Sequence, residues 1–521
     1  MAADRVDGRR AGLLVPVFSV PSRASWGIGE IADLPALGRW MVESGFRIVQ
    51  LLPLNEMAGG QNSPYSALSA MAIDPVYIAP AHVPEVRALG GESFLSTAER
   101  AQLRAARESR RIEYALVRPI KNRVLRAAFD RFCATDWRGQ TARAAALNAY
   151  IERERWWLDD YALFRAIHAR AADRHWREWD PPLRDRDPGA LEEARQELAA
   201  ATLYYAYLQW LADEQWNAAR SSCGVAIFGD FPFMVSGDSA DVWARQEDFR
   251  LDASVGAPPD AFSEKGQDWG FPAYRWKEIE KGGYEWLAAR ARRSSELYDG
   301  YRVDHLVGFF RTYVREADGS AQFVPAEENA QISQGERLLR LFGAVGATVT
   351  AEDLGVIPEF VRSTLERLGI PGYKVLRWER EWHVEGQPFR DPAAYPPRSV
   401  ATTGTHDTET LAEWWDLADE AERAAVVRIP RLRAAGCNPR APFSEAIRDA
   451  ILEVLFASGS DTVLLPIHDV FGWRDRINTP ALISNDNWTW RLPWPVEELM
   501  TQPLARERGA FTRRLAARHR R

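Results

Sequence analysis

The sequence predicts a (β/α)8 barrel, and two observations carry that expectation. Eight short apolar, β-branched runs recur along the 521 residues, and helical patterns lie between them. The runs fall at 13–20 (LLVPVFSV), 46–54 (FRIVQLLPL), 225–233 (VAIFGDFPF), 301–306 (YRVDHL), 348–354 (TVTAEDL), 373–378 (YKVLRW), 400–407 (VATTGTHD) and 462–470 (TVLLPIHDV). Most are continuous rather than alternating, which marks parallel strands buried on both faces. Helical patterns cover 30–44, 285–297, 335–343 and 444–457. A doubly wound open sheet is the alternative. No G-x-G-x-x-G follows a strand, which argues against its dinucleotide-binding version.

The whole chain, 1–521, reads as one catalytic barrel with two additions. The gap between the second and third runs is very long. Its stretch 97–220 is rich in Ala, Arg, Glu and Leu and poor in Gly, so a mostly helical insertion is expected over 83–222. The stretch 251–276 is dense in Gly, Pro and aromatics and reads as a long loop over the active site. Its Phe262, Trp269, Phe271, Tyr274 and Trp276 argue against disorder.

Net charge is −7, from 66 basic and 73 acidic residues, so no basic excess favours nucleic acid. The C-terminal arginines, Arg506, Arg508, Arg513, Arg514, Arg518, Arg520 and Arg521, read as the solvated face of a terminal helix. Three cysteines, Cys133, Cys223 and Cys437, are widely spaced without a C-x-x-C, which fits a reducing cytoplasm. The N-terminus lacks an apolar signal core, and no uncharged apolar run reaches the ~18 residues of a membrane span. Tryptophan occurs 21 times. Most are expected in packing, and a few on the apolar faces of sugar rings.

Barrel chemistry sits at the C-terminal ends of strands, so the residues ending each run matter most. The fourth run ends in Asp304 (R-V-D-H), the fifth in Glu352 and Asp353 (A-E-D-L-G), and the seventh in His406 and Asp407 (G-T-H-D). Asp238 follows the third. One such acid is more often a helix cap or structural ion pair. Several converging on one mouth raise at least one pKa by like-charge repulsion. Arg302 lies two residues before Asp304, on the same side of the strand, where its charge would keep Asp304 ionised. One ionised and one protonated carboxyl are what retaining glycoside chemistry requires.

These motifs resemble the amylomaltases, the 4-α-glucanotransferases of glycoside hydrolase family 77 in the α-amylase clan. The resemblance runs from LLVPVFSVPSRASWGIGEIADL through QLLPLNEMAGGQNSPYSALSAMAIDP, GDFPFMVSGDSADVW, GAPPDAFSEKGQDWGFPAYRW, YRVDHLVGFFR, AEDLGVIP and GTHDTET to NTPALISNDNWTWRL. It implies that Asp304 is the nucleophile, Glu352 the general acid/base and Asp407 the transition-state stabiliser. It implies sugar contacts from Arg302, His406, Tyr65, Asp260, Gln267, Trp269 and Asn478, and makes Asp238 the third-strand acid of the clan. The substrates implied are α-1,4-glucan or maltooligosaccharide donors, with glucose or another glucan as acceptor. No metal or organic cofactor is implied, and no nucleic-acid or membrane partner. The chain departs from familiar forms at W-G-F-P, H-L-V-G and H-D-T-E-T, none of which removes a carboxylate. A hydrolase of the same clan would use the same acids, and a glucan-binding protein without catalysis would not need them.

Overall fold

The computed structural model describes residues 8–259, 266–480, 482 and 484–521. Eight parallel strands close into a barrel. In chain order they are β1 (Arg10–Leu14), β2 (Ile48–Gln50), β3 (Ala226–Phe231), β6 (Gly300–Val303), β9 (Thr348–Ala351), β10 (Gly372–Val375), β11 (Ser399–Thr402) and β12 (Thr462–Pro466). The ring runs β1-β12-β11-β10-β9-β6-β3-β2 and is sealed where Arg10 to Leu14 pair with Thr462 to Pro466. Each apolar run of the sequence supplies one of these strands. The runs extend past the strands because their last residues already form the loops of the mouth. The first run is displaced furthest. Pro16 lacks a backbone donor, and the residues after it form a 3-10 turn, Val17–Ser19.

Alternation along the strands separates the barrel interior from the layer beneath the helices. Ile48, Phe228, Tyr373, Val400 and Leu464 form a small apolar cluster of their own, contributed by five strands. The tyrosine hydroxyl of Tyr373 donates to Gln50 Oε1 at 2.7 Å. On β3, Phe228 belongs to this interior, and Asp230, two residues on, shares its side of the strand. Between them Gly229 faces outward against Tyr298. A Cβ on Gly229 would come within 2.3 Å of that ring.

The second and third barrel strands are separated by helices, chiefly Thr97–Glu108, Tyr114–Phe132, Ala142–Arg170, Pro188–Glu197 and Ala199–Ser222. A buried ion pair ties them to the barrel. Lys121 Nζ lies 2.7 Å from Glu30 Oε1 and donates to the carbonyls of Val76 and Ile78.

The stretch read as a long loop differs. Its described residues form β4 (Phe249–Ala257) and β5 (Gln267–Tyr274), antiparallel partners in a second sheet, β5-β4-β7-β8, with β7 (Thr312–Glu316) and β8 (Ala321–Val324). Gly256, Gly270 and Pro272 within these strands, with irregular register, hide them from a composition-based reading. The terminal helix, Pro503–Arg518, also departs from expectation at one face. Arg508 is buried, 2.7 Å from Asp449, and Arg521 donates to the carbonyls of Phe456, Ser458 and Ser460.

Gly229→Ala tests the packing of β3. The added methyl must displace a buried tyrosine ring, so unfolding stability falls by about 1–3 kcal/mol. A melting midpoint equal to the wild type's in urea would show that Tyr298 yields freely.

Candidate active site

The mouth is built upward from Arg302. Its guanidinium is buried and bonds two carboxylates at once, Asp230 Oδ2 at 2.6 Å and Asp304 Oδ1 at 2.8 Å. Asp304 follows β6 directly, and its backbone N–H donates to Phe231 of β3 at 3.0 Å. Its side chain stays partly open to the mouth.

Glu352 comes from the neighbouring strand, one residue past β9. It accepts the backbone N–H of His305 at 2.8 Å. His305 has φ of 42°, a left-handed conformation that non-glycine residues adopt at a cost. Burial pushes the Glu352 carboxyl up, Arg302 opposes that, and Asp304 and Asp353 add to it, leaving a pKa of about 8. The adjacent Asp353 turns to the other side. It accepts the backbone N–H of Tyr373 at 2.7 Å and rests against Gly372 of β10. Of the two adjacent acids, Glu352 shares the Asp304 surroundings and Asp353 braces a strand.

Asp407 has the opposite balance. Burial raises its pKa, but the charge and hydrogen bond of His406, the amide of Asn478 and the charge of Arg302 outweigh it and bring it to about 2. Asn478 Nδ2 donates to Oδ1 at 2.7 Å, and His406 Nε2 lies 3.3 Å from Oδ2. Burial alone would lower the His406 pKa, but Asp407 reverses this and raises it. At neutral pH the mouth therefore holds a protonated Glu352 opposite an ionised Asp407.

Tyr65 joins the two halves. Its hydroxyl donates to Asp230 Oδ2 at 2.8 Å and lies 3.0 Å from His406 Nε2, while its ring stacks on His406 at 5.4 Å. Trp488 packs against both rings, 5.7 Å from Tyr65 and 5.8 Å from His406. On the far side, Trp269 of β5 meets His305 edge to face at 4.8 Å, and its indole N–H donates to Gln267 at 3.0 Å.

Most of the residues singled out from the sequence thus converge: Asp304, Glu352, Asp407, Arg302, His406, Tyr65 and Asn478 directly, with Gln267 and Trp269 reaching the mouth through His305. Asp260 lies outside the described residues. Asp238 is a correction. Its carboxylate bonds His168 Nε2 at 3.2 Å and the backbone N–H of Trp176 at 3.2 Å, so it fastens the helical insertion. The third-strand acid beside Arg302 is Asp230. The sequence signal for it was a lone carboxylate inside the apolar run VAIFGDFPF, two residues from a core phenylalanine. His305 was visible as part of R-V-D-H, though its backbone role was not. Trp488 lay within the motif NTPALISNDNWTWRL, but nothing there gave it a contact at the mouth. Among the described residues no group of His, Cys, Asp and Glu is arranged to hold a metal ion.

A closed parallel barrel carrying acids of divided ionisation at its C-terminal mouth, flanked by aromatic rings, defines an enzyme that acts on glycosidic bonds. Comparison with known proteins narrows the class. The 4-α-glucanotransferase model of glycoside hydrolase family 77 matches residues 15–497. A 4-α-glucanotransferase of Thermus thermophilus is 34% identical, covering 98% of this chain and 98% of that protein. One from Chlamydia pneumoniae is 32% identical over 94% of this chain and 92% of its own length. The solved amylomaltase from Streptococcus agalactiae in complex with acarbose superposes with a TM-score of 0.81, at 26% identity, covering 98% of this chain and 99% of that one. The chain belongs to this family of 4-α-glucanotransferases, enzymes that move a segment of an α-1,4-glucan onto another sugar.

Tyr65→Phe removes one hydroxyl from the centre of the network and keeps the stacked ring. A hydrogen bond to a charged group contributes about 1.5–3 kcal/mol, so kcat/KM on maltotriose should fall roughly 10- to 100-fold while the melting midpoint changes little. Unchanged kinetics would show that Tyr65 serves only as a packing ring.

Proposed function

We propose that Asp304 is the nucleophile, Glu352 the general acid/base and Asp407 the carboxylate that holds the sugar as it distorts. The observation that carries this assignment is the division of the acids around one cation. Arg302 neutralises Asp304 from 2.8 Å, while Glu352, on the next strand, stays protonated to about pH 8. In the first step Glu352 gives its proton to the glycosidic oxygen and Asp304 attacks the anomeric carbon. The C–O bond to the departing glucan breaks, and a covalent glycosyl-enzyme forms with inverted configuration. In the second step the Glu352 carboxylate removes the proton from the 4-hydroxyl of an acceptor. That oxygen displaces Asp304, and the α-1,4 bond is restored. Asp407, fixed by Asn478 and His406, accepts hydrogen bonds from ring hydroxyls. Those bonds strengthen as the ring flattens, which lowers the barrier.

Arg302, His406, Tyr65, Gln267, Trp269 and Asn478 form the surrounding sugar-binding wall in this reading. The acceptors are glucose and maltooligosaccharides. Trp269, held by Gln267 and His305, favours a sugar over water in the second step, because an apolar wall stacks on a pyranose and offers water little. The chain works as one catalytic unit over 1–521, with the helices of 83–222 as an insertion and 251–276 as the segment that crosses the mouth. Its three cysteines, with no disulfide among them, fit work in a reducing cytoplasm.

Incubation with maltotriose alone tests the transfer reading. A ladder of longer maltooligosaccharides together with glucose is expected. Accumulation of maltose and glucose, with nothing longer than the substrate, would make the protein a hydrolase.

The role of Glu352 has its own signature. Because the acid must be protonated, kcat/KM should decline as pH rises through about 8. Glu352→Gln should lose that limb along with most activity on maltotriose. With α-maltosyl fluoride, whose leaving group needs little protonation, the same variant should accumulate a glycosyl-enzyme visible as added mass on the intact protein. Trapping by Asp353→Asn instead would assign the acid to the wrong neighbour.

A further inference from the structure

Of the 21 tryptophans, two stand exposed, Trp378 at 39% and Trp382 at 56%. Both lie in one segment, the chain that leaves the C-terminal end of β10. That strand stands between β9 and β11, the strands that lead to Glu352 and Asp407. The base of the segment is fastened to the G-T-H-D loop. Arg377 donates to Glu409 Oε2 at 3.0 Å and to the carbonyls of Thr403 and Glu409. Along the same segment Trp378, Trp382 and Val384 are all exposed, Val384 by 50%.

The segment is a built ribbon. Arg380 pairs with Phe389 in an antiparallel bridge, with Glu381 N–H donating to Pro388 and Arg390 N–H to Glu379, both at 2.9 Å. The Arg380 guanidinium covers the Phe389 ring at 4.0 Å and bonds Glu422, and Arg390 bonds Glu381 at 3.0 Å. These contacts hold the ribbon together and, through Glu422, against the neighbouring helix, while the Trp382 indole stays more than half exposed. A large apolar ring left in water carries unfavourable hydration that a matching apolar face releases on covering it.

We propose that Trp382, continuing from Trp378, is an outer platform on which glucose rings beyond those at the carboxylates stack. The occupant follows from continuity: the segment is bonded at its base to the loop that carries Asp407, and an indole face matches the apolar face of a pyranose. The exposed His383 and Glu385 flank it, placing polar groups near the sugar hydroxyls. The platform makes the protein prefer long glucans over short ones. It rests on the glucan-transfer reading and adds to it a residue that sets chain length.

The test measures binding without turnover. In an Asp304→Asn background, maltotriose and maltoheptaose are titrated by calorimetry with Trp382 intact and with Trp382→Ala. The tryptophan change should weaken maltoheptaose about tenfold and maltotriose by less than about twofold. Trp382→Phe should keep most of the long-chain affinity. Equal losses on both sugars would mean that the ribbon only supports the mouth. No loss on either would leave the indole without a sugar partner. A sedimentation coefficient that drops in Trp382→Ala would make the strip a contact between copies of the chain. Each of these three results overturns the platform. The maltotriose ladder of the unmodified protein judges the transfer reading separately, so the two can fail independently.

Discussion

The site depends on one buried cation. Arg302 sits in the barrel with its guanidinium shared between Asp230 and Asp304. A lone charge in that position would be strongly disfavoured, and two carboxylates this close would repel each other without it. Each group therefore makes the others tolerable. The arrangement also fixes position. β3 and β6 are neighbours in register, Asp230 opposite Arg302, so the pairing of two strands sets the distance between these charges. The apolar cluster in the barrel and the Gln50–Tyr373 hydrogen bond fill the interior on the same side of β3 as Asp230.

From that cation the two remaining acids diverge through surroundings alone. Glu352 has a single backbone N–H as hydrogen-bond partner, from His305, and burial dominates. Asp407 has an amide, an imidazole and the same distant guanidinium, and these dominate instead. The same group, a carboxyl one or more residues past a barrel strand, thus has its pKa raised in one place and lowered in the other. Asp353 shows how narrow the difference is. One residue from Glu352, it turns to Gly372 and the Tyr373 amide, and its charge reaches the site only as repulsion.

The additions to the barrel share its apolar core and are fastened to it by buried polar contacts. Lys121 reaches Glu30, and His168 and the Trp176 backbone reach Asp238. The second sheet delivers Trp269 to His305.

The sequence by itself determined the barrel, because continuous apolar runs are what doubly buried parallel strands require, and each of the eight runs became a strand. It also singled out Asp304, Glu352, Asp407 and Arg302 as candidates, because strand ends are where a barrel presents chemistry and period two puts Arg302 beside Asp304, and the structure brings these four to one mouth. Only the tertiary structure decided between Asp230 and Asp238. Both are acids near the third strand, and the choice rests on which one pairs across to Arg302, a contact between residues 72 apart in sequence. Only it showed the described residues of the glycine- and proline-rich stretch at 251–276 as paired strands, since their register is irregular and β4 also pairs with the distant β7, Ala253 opposite Glu316. Burial of Arg508 in a face that reads as solvated has the same cause: its partner Asp449 lies 59 residues away, and no local pattern carries a contact of that range.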